Sequence, residues 1–202
     1  MSVQYIYPLY FPREGYHKSE LYIEDSTLEG LKKFAADKEE GWEAIHEKHP
    51  NEKKGANDDK QYRFQCKMTS KEKRAGSLRT VLDECREKLK VIHQVFHITD
   101  TYLLKSLPGG PVQGWHRDYS DDFLKTLPKG FFCGTAIVAL HNNTVVWVKR
   151  DGKRKVTINK GEMLFMRGDL IHAGGAYKSK NYRLHFHVGL NKNFKAETNL
   201  FF

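Results

Sequence analysis

Apolar residues recur along this chain with two different periods, and the change of period divides it. Over residues 1–95 the spacing is helical. Leu28, Leu31, Phe34 and Ala35 step by three and four after Ser26-Thr27, with Glu29 in the first turn. Trp42, Ala44 and Ile45 continue as a second short helix. Leu78, Val81, Leu82, Cys85, Leu89 and Ile92 repeat the pattern with more regularity. They predict one long amphipathic helix within residues 70–95 that packs with a single face. Residues 51–60 are polar and carry a glycine, a loop by composition.

From Phe96 onward the apolar runs become short and β-like, separated by turn signals. Runs at 97–104, 112–119, 131–140, 144–149, 155–158, 162–167 and 182–190 predict strands. His141-Asn142-Asn143 predicts a turn. Asp151-Gly152 predicts a hairpin tip, because both residues tolerate the positive φ that tight hairpins require. Seven or eight short strands suggest a sandwich or barrel, and helices followed by strands make the whole α+β. The expected organisation is one domain over 1–202. Residues 1–95 would form a helical support, 96–190 a β core and 191–202 a tail.

Composition agrees with a folded chain: 39% of the 202 residues are hydrophobic and 12% aromatic, enough to bury a core. No apolar run reaches membrane-spanning length, and the N-terminus lacks the pattern of a secretory signal. The three cysteines, Cys66, Cys85 and Cys133, are widely spaced and odd in number. They suit neither a zinc site nor a disulfide framework, so a reducing compartment, cytoplasmic or nuclear, is expected. The net charge is +9, and residues 141–202 alone contribute +8 of it, from 12 Lys+Arg against 4 Asp+Glu. The run from Lys149 to Lys155 concentrates that excess on the predicted hairpin tip. It reads either as a phosphate-contacting feature or as a solvated turn that discourages edge-to-edge association.

The candidate chemistry lies in three places. Gly114-Trp115-His116-Arg117-Asp118 sets His116 and Asp118 two apart, so in extended chain both point to one face. His172 follows 56 residues after His116, within Gly168-Asp169-Leu170-Ile171-His172-Ala173-Gly174-Gly175. Two imidazoles and a carboxylate on one face of an octahedron leave three positions open, an arrangement suited to non-haem Fe(II). Eleven residues beyond His172 stands Arg183, sharing a strand face with His185 and His187. A guanidinium there can clamp a carboxylate with two parallel hydrogen bonds.

Taken in order, His116-x-Asp118, the distal His172 and then Arg183 resemble the Fe(II)- and 2-oxoglutarate-dependent dioxygenase superfamily. The resemblance covers about residues 96–190. It implies a double-stranded β-helix, a jelly-roll or cupin-like barrel of eight strands. It also implies Fe(II) on His116, Asp118 and His172, with Arg183 on the distal carboxylate of 2-oxoglutarate. The implied activity is hydroxylation or oxidative demethylation of a substrate C–H bond with O2, releasing succinate and CO2. The acid in the first motif separates the chain from the halogenase branch, which lacks that ligand.

Many members carry a tyrosine on the first barrel strand, nine or ten residues before the first histidine, where this chain has Leu107 and Ser106. Tyr102 stands 14 residues before, and an insertion at Pro108-Gly109-Gly110 would restore it as a 2-oxoglutarate contact. The strand signature of AlkB-type repair enzymes is not matched after Arg183. His185 is expected against the cosubstrate and His187 as a satisfied inward polar group, although His185-x-His187 can itself be read as a metal pair. Trp115, Arg117 and Tyr119 flank the ligands and are candidates for the substrate mouth. Asp121-Asp122 would cap the next segment. The expected prime substrate is a protein side chain or a nucleic acid. A non-catalytic cupin-like barrel that binds metal or ligand is the alternative from another class.

Overall fold

The computed structural model describes residues 13–45, 61–93, 96–127 and 133–189. The predicted loop at 51–60, the start of the 131–140 run, Leu190 and the tail at 191–202 lie outside them. The elements run β1 (Tyr16–Glu20), α1 (Asp25–Asp37), β2 (Glu43–Ala44), β3 (Arg63–Lys67) and α2 (Gly76–Ile92). Then follow β4 (His97–Ser106), α3 (Asp121–Thr126), β5 (Gly134–Ala139), β6 (Thr144–Lys149) and β7 (Lys153–Ile158). β8 (Glu162–Arg167), β9 (Ile171–Gly174) and β10 (Asn181–Gly189) complete the set.

Helix α2 buries Leu78, Val81, Leu82, Cys85, Leu89 and Ile92, the same six positions that the periodicity singles out. It starts later than residue 70, because Ala75 is extended and Gly76 takes φ +53°. The segment before it is a short 3₁₀ turn at Glu72–Arg74. Helix α1 buries Leu28, Leu31 and Ala35 and begins after Glu24, ahead of the Ser26-Thr27 start signal.

The second short helix expected around Trp42 is not formed. Gly41 turns the chain at φ +79°, and Glu43–Ala44 pair with Gln65 and Phe64 as β2. The Trp42 indole instead donates to the Lys38 carbonyl at 2.7 Å, satisfying an orphan acceptor just past the end of α1.

Among the described residues ten strands form two antiparallel sheets that face each other, the larger in the order β1-β8-β5-β10-β4-β3-β2 and the smaller β7-β6-β9. The N-terminal region thus supplies three strands to the large sheet, which its helical periodicity conceals. Helices α1 and α2 pack on β10 and β4. The outward residues Leu103, Leu184, Phe186 and Val188 join the helix faces in one core. Between the sheets a second cluster forms from Ile137, Ala139, Val146, Val148, Leu164 and their neighbours.

The strand expected at 112–119 shrinks to one bridge, His116 opposite His172, held by two backbone hydrogen bonds of 3.0 and 2.9 Å. The chain leaves the sheet there because Ser120 caps α3, accepting from the Phe123 N–H at 3.1 Å. Asp121 and Asp122 lie in the first turn of that helix rather than at its cap. The hairpin signal is realised: Asp151 and Gly152 adopt φ +51° and +117° between β6 and β7. Cys66, Cys85 and Cys133 are all free and buried.

Candidate metal centre and carboxylate pocket

His116 and Asp118 come from the bridge segment and the bend after it, and His172 from β9 on the small sheet. The bridge brings the two imidazoles together, with ring centroids 4.5 Å apart. His116 Nδ1 lies 2.8 Å from the Gly114 carbonyl and His172 Nδ1 3.0 Å from that of Leu170. A carbonyl can only accept, so each Nδ1 carries the proton and each Nε2 keeps its lone pair. Both Nε2 atoms turn toward Asp118, at 3.9 Å from Oδ1 and 3.6 Å from Oδ2. Backbone partners that fix the tautomer in this way are typical behind metal-bound histidines.

All three side chains are buried, and their ligand atoms lie within 4.8 Å of one another. Asp118 Oδ2 is buried without a hydrogen-bond partner. A carboxylate oxygen left unpaired in an apolar interior is costly unless a cation completes it. Burial and the neighbouring His172 push the His116 imidazole down to about 4, which favours the neutral, ligating form. Burial alone would raise the Asp118 carboxyl. The imidazoles of His172, His185 and His116 outweigh that and hold it well below the usual carboxylate range. The donor set, its protonation and the orphaned oxygen all fit a divalent metal.

Beside the triad a cavity of about 80 Å³ runs between the sheets, walled by Leu104, Ile137, Val145 and Val146. Arg183 reaches into it from β10. Its Nη1 donates to Asn181 Oδ1 at 2.9 Å and its Nη2 to Ser106 Oγ at 3.0 Å. Both partners are neutral acceptors that aim the guanidinium without neutralising it. His185, two residues along the strand, also lines the cavity, and burial together with His187 lowers its imidazole to about 3.

Sequence reasoning did not find Arg63. It is buried on β3, its Nη2 donates to the Pro111 and Gly175 carbonyls, and its Nη1 lies 3.4 Å from Ser106 Oγ. Two guanidinium groups therefore meet at one hydroxyl. The alternation in Arg63-Phe64-Gln65-Cys66-Lys67 was the available signal, hidden by the polar loop before it. Gln113 was missed as well; its Oε1 accepts the Gly174 N–H at 3.1 Å. Gly174 must be small, because a Cβ there would lie 2.8 Å from Gln113 Oε1 and 3.1 Å from Arg63 Nη1.

The remaining candidates are dispersed. Tyr102 does not line the cavity. Its ring packs between His185 and His187, at centroid distances of 6.2 and 6.0 Å, while Leu104 and Ser106 of the same strand face Arg183. Tyr119 is fully buried, so it is withdrawn from any substrate mouth. Its hydroxyl donates to the Gly134 carbonyl at 2.9 Å, and His187 Nδ1 lies 3.1 Å away. That spends His187 on a structural bond. Among the described residues only His116, Asp118 and His172 form a group able to share an ion, so the His185-x-His187 metal pair is not supported. Arg117 pairs with Asp121 on α3. Trp115 is half-buried, with the Lys153 ammonium 5.5 Å from its ring centroid.

No family model and no curated protein matches the sequence. Solved structures do match. SnoN, a non-haem α-ketoglutarate-dependent epimerase of nogalamycin biosynthesis, superposes with a TM-score of 0.66 at 12% identity. The match covers 89% of this chain and 79% of that one. HygX from Streptomyces hygroscopicus, solved with nickel and 2-oxoglutarate, gives 0.63 at 10% identity, covering 92% and 89%. The viral collagen prolyl hydroxylase of Paramecium bursaria Chlorella virus-1, in a 2-oxoglutarate complex, gives 0.59 at 18%, covering 86% and 95%. The two facing sheets thus have the double-stranded β-helix fold of these solved structures. β1 lies at one end of the larger sheet beside β8, and β3 and β2 at the other beyond β4.

Proposed function

We propose that this protein is an Fe(II)- and 2-oxoglutarate-dependent oxygenase. It would hydroxylate, or oxidatively demethylate, a C–H bond of a protein side chain or a nucleic acid. His116, Asp118 and His172 would hold the iron, and Arg183 the distal carboxylate of 2-oxoglutarate. The observation that carries this reading is the pairing of two unsatisfied charges across one cavity. Asp118 Oδ2 is buried without a partner on one side, and Arg183 is held only by neutral acceptors on the other. A cation and a dicarboxylate bridging them would satisfy both. A non-catalytic barrel that binds metal or ligand would use both charges as well; the solved structures of this fold, which are 2-oxoglutarate-dependent enzymes, favour the catalytic reading.

Iron bound with 2-oxoglutarate and O2 supplies the oxidising chemistry, in which one oxygen atom enters the substrate and the other enters succinate as CO2 leaves. The chain's own residues bind and orient. The Gly114 and Leu170 carbonyls lock both imidazoles as Nε2 ligands, Asp118 supplies the negative charge, and Ser106 and Asn181 aim the Arg183 fork. Leu104, Ile137 and Val146 keep bulk water from the path between them. Three free, buried cysteines fit a cytoplasmic or nuclear setting. No helix among the described residues is long and apolar enough to cross a membrane.

The test is anaerobic titration with Fe(II) and 2-oxoglutarate, followed by admission of air and assay of succinate. The expected result is stoichiometric metal binding, and succinate release that requires both additions. Failure to bind iron, or turnover that survives His116→Ala, would overturn the proposal.

A further inference from the structure

The basic hairpin of β6 and β7 is not used by the reaction, yet it lies at the metal centre's side. Val148 of β6 is the register partner of His172. The hairpin tip therefore begins two residues beyond the level of the triad, at the end of the small sheet away from Thr144, whose hydroxyl meets Asn181 beside Arg183.

The small sheet also has an outer face. Along β6, Val146 and Val148 are buried inward, so Trp147 and Lys149 point outward. Trp147 pairs with Lys155 on one side and with Ala173 on the other, and Lys149 pairs with Lys153. The His116–His172 bridge sets Trp115 beside Ala173 on this same face. Trp115 and Trp147 are half-buried, and Lys149, Lys153 and Lys155 are exposed. Lys153 reaches across to the Trp115 ring at 5.5 Å, which ties the hairpin to the residue immediately before His116.

We propose that this face binds a single-stranded nucleic acid and leads it over the hairpin to the metal centre, so that the prime substrate is a nucleic acid. The assignment of a reaction to that strand rests on the oxygenase reading above; the binding rests on the hairpin alone. Three observations converge on it. Aromatic rings interleaved with cations on one sheet face are what a stacked, unpaired strand requires: faces for bases and charge for phosphates.

Lys149 and Lys153 stand directly opposite each other, a like-charge pair that weakens a ladder. Past the tip, on the inward side to which Val148 and its register partner Arg154 belong, Arg13, Arg150 and Arg154 line a further cavity of about 190 Å³, where a strand led over the hairpin would meet positive charge. Glu14 and Asp151 share its wall, leaving a net positive charge. Lysines also guard exposed sheet edges against aggregation, and β7 is such an edge. Edge protection accounts for neither the tryptophans nor the arginine cavity.

Fluorescence anisotropy with a labelled single-stranded oligonucleotide of mixed sequence tests the proposal on the intact protein. Binding should be measurable at low salt and fall steeply as salt rises. The combined K149Q, K153Q and K155Q variant should lower the steepness of the log–log salt plot by about 2, since each lost phosphate contact removes about 0.7. Trp115→Ala and Trp147→Ala should each weaken binding by about tenfold. Melting curves check that each variant is folded.

No binding at low salt overturns the proposal. So does an unchanged salt slope in the triple variant, or equal affinity for a poly-glutamate peptide without dependence on the tryptophans. Anisotropy reads binding without turnover, so the two readings fail separately. Lost oligonucleotide binding in a protein that still releases succinate sinks this inference alone. Absent succinate release with intact binding sinks the oxygenase alone.

Discussion

The two sheets that face each other across the cavity follow different rules. The large sheet is a packing device: its outward side is sealed by α1 and α2 through Leu103, Leu184 and Phe186, all fully buried. The small sheet has three strands and carries its cations and half-buried tryptophans outward. The centre draws on both. His172 and the bridged His116 come from the small sheet, Arg183 and His185 from the large one. The contrast teaches that rigidity and access are separated. One wall is anchored by a deep core and positions Arg183, and the other holds His116 and His172 next to open surface.

The largest effect that bears on this contrast is loss of a ligand. His172→Ala or Asp118→Ala should abolish stoichiometric Fe(II) binding and lower succinate release by more than ~100-fold, since even groups behind a ligand cost 10–100-fold. Melting should change little, because the metal-free triad is a burden on the fold. A large stability loss in Asp118→Ala would show that the small sheet is structural first.

Next comes the core of the large sheet. Phe186→Ala should cost about 3–5 kcal/mol by denaturant unfolding, whereas Trp147→Ala on the outer face of the small sheet should cost about 1–2 kcal/mol. Equal costs would erase the distinction between the walls.

Arg183→Lys probes the clamp with the fold intact. A fork of charge-assisted hydrogen bonds is replaced by a point charge. The KM for 2-oxoglutarate should rise about 10- to 100-fold with a smaller change in kcat. An unchanged KM would remove Arg183 from the cosubstrate site.

The smallest effect lies behind the large sheet. Glu72 pairs with Lys38 at 2.8 Å, and its carboxylate accepts from both the N–H and the hydroxyl of Thr69 at 2.7 Å. Burial alone would raise the carboxyl, but these partners bring it down to about 2, from 4.5 in a free glutamate. A folded value below the unfolded one gives stability that is complete above pH ~4.5 and lost as pH falls toward 2. Glu72→Gln should cost ~1 kcal/mol near neutral pH and flatten that part of the acid unfolding curve.

Much of this architecture was legible because its signals are local. The face of α2 follows from spacing within one helix. The runs at 144–149, 162–167 and 182–190 mark β6, β8 and β10 to within two residues. The Asp151-Gly152 tip follows from backbone sterics. What escaped was non-local. Arg63–Lys67 is a strand because the edge of β4 is there to receive it, and Glu43–Ala44 because β3 then offers its own edge, against a helical or loop-like local composition. The 112–119 run has strand character but only one bridging partner, so most of it stays unpaired.

The same division holds for the site. By itself the sequence singled out the candidate groups: a histidine and an acid two residues apart, a later histidine and an arginine beyond it. It also determined that the positive charge concentrates on one hairpin. Residue type and short spacing suffice for that, since they specify ligand chemistry and strand face. Only the tertiary structure decided which side chains share a cavity. It set Tyr102 against His185 instead of Arg183, buried Tyr119, and brought Arg63 to Ser106 from 43 residues away. It also turned the basic hairpin toward the residue beside His116. Those placements depend on strand order and register across two sheets. Contacts of long sequence separation decide them, and no periodicity within a single segment encodes them.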